Sequence, residues 1–129
     1  MNTPILPPTM APPAANYVHA MLSTEASRIL HTSGVVPTAP DGTTPIDIAE
    51  QAAVVWRNID ALLVEADMSM SNIVSITTYV VVDHLASLGL VMAARDAAMS
   101  GHRAASTLVT VPALARPEWQ MEIAVVAVA

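Results

Sequence analysis

The residue pattern predicts an α+β domain in which two helices cover one face of a mixed sheet. Three observations predict it. Residues 47–66 repeat apolar side chains at helical spacing, residues 72–82 form a β-branched run, and the C-terminal run Trp119–Val128 is apolar except for Gln120 and Glu122. With the shorter stretches added, the order is β-β-α-β-α-β-β over 129 residues, the size of one domain.

Residues 1–14 carry five prolines and no periodicity, so this segment is expected to be extended and only partly ordered. Strand-like stretches at Tyr17–Leu22 and Arg28–Thr32 flank the turn-forming Ser23–Ser27, which reads as a hairpin ending at Ser33-Gly34. Residues 37–46 form a loop with a tight turn at Asp41-Gly42. The first helix puts Ile48, Ala52, Val55, Ile59, Leu62, Leu63 and Ala66 on one stripe, and Asp47 complements its dipole. Residues 72–82 become apolar on both faces toward their end, as in a strand covered on both sides. A second helix is expected over 85–99, with Leu85, Leu88, Met92, Arg95 or Asp96, and Met99 inward and Gly101 as its stop. Strands at 105–111 and 119–128 complete the chain, joined by a loop with Pro112 and Pro117.

Composition narrows the function classes. Hydrophobic residues make up 53% and charged residues only 12%, with no run long enough to span a membrane as a helix. The apolar surplus is expected in a subunit interface, so the chain reads as a homo-oligomer. A net charge of −6 without any Lys/Arg cluster argues against a nucleic-acid surface. Zero cysteines exclude disulfides, thiolate catalysis and Cys-based zinc sites, which fits a cytoplasmic protein. The N-terminus lacks the basic and apolar regions of a signal peptide. The histidines at 19, 31, 84 and 102 show no metal-ligand spacing, so no zinc or iron site is expected.

Glu122 is the most informative single residue. A lone carboxylate in an otherwise apolar strand is costly unless something satisfies it. It is either solvated at an edge, a cap for neighbouring amides, or part of a chemical site. On the last strand the odd positions Trp119, Met121, Ile123 and Val125 are large and apolar, whereas the even positions include both polar residues. The odd side is therefore expected against the helices and the even side, with Glu122, at a seam between subunits.

The stretches Asn16–Ala20, Thr32-Ser33-Gly34, Ile48–Gln51 leading to Asn58, Ile76–Asp83 and Met121-Glu122-Ile123 occur in order across the chain. In these the chain resembles the YjgF/RidA (reactive intermediate deaminase) family over nearly its whole length. The resemblance implies a single domain of chorismate-mutase-like fold, a homotrimer around a central β-barrel, and a small-molecule cleft at each subunit boundary. It also implies cofactor-independent hydrolysis of enamines and imines to keto acids and ammonia. By that resemblance Glu122 handles the water and proton, Tyr17 lines the cleft, and Ser33 and Gly34 supply hydroxyl and backbone contacts.

One departure bears on substrate. The family's deaminases carry an arginine at the start of the next-to-last strand, which grips the substrate carboxylate. Here Ser106 takes that position, or Ala105 or Thr107 after a one-residue slip, and none is basic. Arg103 lies three residues earlier; strand alternation denies it the same slot, although its long side chain can reach inward. Ser106, Thr107 and Arg103 are the substrate-binding candidates of this segment. Hydrogen bonds to a charged group contribute roughly 1.5–3 kcal/mol. Their loss costs carboxylate substrates about ten- to a few-hundred-fold, so simple amino-acid-derived imines are not the expected substrate.

Other features read more plainly. His19 shares a strand face with Tyr17 and is either packed, solvent-facing or a cleft residue. Tyr79 and Trp56 read as core or interface, and Ser33-Gly34 as a strand-end turn without the Gly-x-Ser-x-Gly pattern of a nucleophile elbow. Three functions are compatible with these residues: a small-molecule hydrolase using Glu122, a non-catalytic ligand-binding trimer, and an interaction protein using apolar surface.

Overall fold

A computed structural model describes residues 1–129. Six strands and two α-helices follow the order β1 (Asn2–Ile5), β2 (Ala20–Ser23), β3 (Ile29–His31), α1 (Ile48–Glu65), β4 (Ile73–Val81), α2 (Leu88–Met99), β5 (Ala105–Val111) and β6 (Met121–Val128). The main sheet has the order β3-β6-β4-β5, with β4 and β5 parallel and the other pairs antiparallel.

Both helices lie on one face of this sheet, as the sequence predicts. Met121, Ile123, Val125 and Ala127 of β6 join Ile76 and Val80 of β4 in one core with Ile59 and Leu63 of α1 and Val91 and Met99 of α2. Side-chain alternation puts Glu122, Ala124 and Val126 of β6 on the opposite, open face. Their register partners Tyr79, Thr77 and Ser75 share that face on β4. Thr107 and Val109 of β5 continue it, being paired with Thr77 and Tyr79.

Several expectations fail. Residues 17–22 and 28–32 form no hairpin: β2 pairs with β1, while β3 pairs with β6. The proline-rich start thus contains a strand, which it can because β1 is an edge. Thr24 N–H donates to Met1 O, and the alternation this sets turns the Pro4 nitrogen away from β2. On α1, Leu62 is 43% exposed and Trp56 and Gln51 are buried in its place. The stretch 82–87 is 3-10 helix, and Val91 replaces the expected Leu85 and Met92 as the core contact of α2. Trp119 precedes β6 instead of starting it, with the Arg116 guanidinium 5.4 Å over its ring.

The β1–β2 hairpin is fastened at both sides of the sheet. Val18 bridges Ala105 at the outer edge of β5, and Asn2 Nδ2 donates to Val128 O at the end of β6. Val128 is accordingly buried, whereas Glu122 at the other end of the same strand is half-exposed. No helix is long and apolar enough to cross a membrane.

Candidate functional site

Glu122 and Gly34 meet where β3 runs out. Thr32 N–H donates to Val125 O, and Val35 and Ile123 exchange backbone hydrogen bonds in both directions. Two residues, Ser33 and Gly34, therefore stand opposite the single Ala124, which is a β-bulge. The bulge carries the chain past Glu122 so closely that a Cβ on Gly34 would lie 2.7 Å from Glu122 Oε2 and 2.9 Å from its Cδ. Only a residue without a side chain lets the carboxyl group lie there.

Two amides of α1 hold the segments that make this meeting. Gln51 is fully buried; its Nε2 donates to Pro45 O at 2.7 Å and Glu118 O at 2.9 Å, and its Oε1 accepts from Gln120 N–H at 2.9 Å. Asn58, seven residues on and so on the same side of the helix, donates through Nδ2 to Val36 O and Thr38 O. Gln51 thus fixes the entry to β6 two residues before Glu122, and Asn58 fixes the exit from Gly34. Sequence periodicity marked neither, and the family resemblance quoted both without a role; the missed signal was a polar residue beside an apolar stripe. Replacing Gln51 by Leu takes the side-chain partner from three part-buried backbone groups. That change is expected to cost about 3 kcal/mol, read as a lower urea midpoint at unchanged slope.

Around the Glu122 carboxylate the open face is uncharged. Its neighbours are Tyr79 across on β4, Ala124 along β6, and Ser33-Gly34 on the other side. No ion pair involves it: the two in the protomer are Arg95–Asp96 and Arg116–Glu118. A cleft of about 410 Å³ flanks the Ser33–Val36 segment where it faces Asn58 and Leu62 of α1. No three of the His, Asp and Glu side chains converge as metal ligands would.

The other candidates divide. Ser33 is exposed beside the acid. Thr107 shares the open face but Ser106 does not, being paired with the helix-facing Ile76. Tyr17, whose hydroxyl accepts from Ala14 N–H, lies at the outer edge of β5. From the Val18–Ala105 bridge to Glu122 is three strand spacings across and four positions along, about 14 Å and about 13 Å. One protomer does not bring Tyr17 to Glu122. His19 sits edge-on to Tyr17, with its Nε2 on Ala11 O.

Arg103 is turned away as well. Its Nη2 donates to Asn16 Oδ1, and Asn16 Nδ2 donates to Asp96 Oδ2, whose other oxygen is held by Arg95. Burial works to raise the Asp96 pKa, but the hydrogen bonds from Asn16 and Arg95 and the charges of Arg95 and Arg103 outweigh it and hold it below the usual carboxylate range. A carboxylate depressed in the folded state stabilises above its unfolded pKa and loses that contribution as pH falls through the folded value. The melting temperature is therefore expected to drop below about pH 4, and Asp96→Asn should flatten that drop; an equally steep drop in the variant would contradict this.

Comparison with known proteins bears on the fold and the family. The family described as Endoribonuclease L-PSP matches residues 8–129. The crystal structure of a protein of unknown function of the conserved Rid family, YyfB from Yersinia pestis, superposes with a TM-score of 0.90 at 30% identity, covering 99% of this chain and 98% of that one. The YjgF gene product of E. coli superposes with a TM-score of 0.71 at 28% identity, covering 92% of each chain. Protein MMF1, mitochondrial, of Saccharomyces cerevisiae is 33% identical over 79 residues, 60% of this chain, and the chain spans about half of that relative's length, 52%.

Proposed function

The chain belongs to the endoribonuclease L-PSP family, the YjgF/RidA proteins, and from that membership we propose that it hydrolyses an enamine or imine at Glu122, in a cleft that a second copy completes within a homotrimer. The observation that carries this reading is the Glu122 carboxylate seated against Gly34 without a cation of its own.

The chemistry asks little of the protein. A proton delivered to the enamine carbon gives the iminium ion. Water then adds to the iminium carbon as a base takes one of its protons. The resulting carbinolamine loses its nitrogen, protonated, as ammonia and leaves a carbonyl group. One carboxylic acid or carboxylate can serve each proton step in turn. Completion by a second copy is supported by the separation of Tyr17 from Glu122, and by exposed Ile29, Leu22 and Val109 on a chain poor in charge.

A second reading has its own support. Apart from the Tyr79 phenol, no second acid or base neighbours Glu122 across the strands, which suits a trimer that binds a small metabolite without turning it over. Ribonuclease action, which the family's name suggests, is disfavoured by a charge of −6 and the absence of lysine. The lack of cysteine fits the cytoplasm, although one relative is named as mitochondrial.

Ammonia release from a panel of imines generated in situ by flavin oxidases tests the proposal. Release above the buffer rate is expected for at least one imine. The buffer rate throughout, with ligand-dependent thermal stabilisation, would favour the binding reading instead.

A further inference from the structure

No arginine of the protomer forms an ion pair with Glu122. There are five arginines and no lysine. Arg28 donates to the carbonyls of Ala66 and Asp67 at the end of α1. Arg57 lies beside Asp60 in the groove between α1 and α2, on the far side of the sheet. Arg95 is only 7% exposed and grips Asp96, Arg103 is held by Asn16, and Arg116 lies over Trp119 near Glu118. Among the histidines, His19 and His102 are tied to the carbonyls of Ala11 and Ile73, and His84 sits in the turn leading to α2. His31 shares the open face and lines the cleft beside Ser33–Val36, but it pairs with Val126, four positions and about 13 Å from Glu122.

A second copy brings the same five arginines. Its arginine nearest the β5 edge, Arg103, arrives with Asn16 and Asp96 attached. We infer that the ligand of the Glu122 site carries no carboxylate: it is a neutral imine or amide, or the iminium cation formed from such an imine. This rests on the reading of Glu122 as the centre of the site. An anionic group about 5 Å from an uncompensated carboxylate loses roughly 10- to 100-fold in affinity after screening, whereas an iminium is attracted by the same charge.

Two matched pairs test it. Flavin oxidases release the imine of benzylamine and the imine of phenylglycine, which differ only in the carboxylate. The full-length protein is expected to hydrolyse the first at least tenfold more efficiently. Independently of turnover, ligand-observed NMR should show benzamide binding at least tenfold more tightly than benzoate. In Glu122→Gln that preference should shrink to within about threefold, because the repelling charge is gone. Benzoate binding as well as benzamide, a preference unchanged in Glu122→Gln, a faster phenylglycine-derived imine, or binding of neither probe would each overturn the inference. Preferential benzamide binding with no imine hydrolysed would uphold it and remove the hydrolase reading alone.

Discussion

Glu122→Gln is expected to lower ammonia release by about 100- to 10,000-fold, the range for removing a positioned acid–base group. The amide keeps the volume and planarity of the acid, so contact with Gly34 is preserved and only the proton chemistry goes. Little change in melting is expected, since the carboxylate forms no ion pair in the protomer whose loss would unfold anything. A rate within threefold of the parent would mean that the acid is a bystander on the sheet.

Gly34→Ala separates position from folding. The backbone at Gly34 is not in the left-handed region, so alanine is tolerated locally and even restricts the unfolded chain. Its Cβ would meet the end of a flexible side chain, 2.7 Å from Glu122 Oε2, so the carboxyl group must move. Stability is expected to change by less than about 1 kcal/mol. Activity should fall on the order of 100-fold, as when a reacting group is displaced by about 1 Å. An active Gly34→Ala protein would show that the carboxyl position at Gly34 has no part in the chemistry.

The two variants also explain what the amino-acid sequence reveals. The face of β6 was legible because Met121, Ile123, Val125 and Ala127 alternate with Glu122, Ala124 and Val126, and one buried face demands one register. The body of α1 was legible from its 3.6-residue period. The partner of β2 was not, because a short polar-apolar strand fits either neighbour and the choice is made by distant Asn2, Met1 and Val128. Equally hidden was the bulge at Ser33-Gly34, which exists only as a mismatch between two strands about ninety residues apart. Glu122 stood out by its expected burial cost, while Gln51 and Asn58, which hold both segments in place, entered only as pieces of the family pattern with no role attached.

Whether the acid and the far edge of the cleft come from different copies is best tested by subunit mixing. Glu122→Gln and Tyr17→Ala proteins, each inactive alone, are unfolded and refolded together in equal amounts. If each site takes Glu122 from one copy and Tyr17 from the next, about a quarter of the sites are intact and about a quarter of the parent activity returns. No recovery from the mixture, or full activity in Tyr17→Ala by itself, would contradict a cleft built between copies.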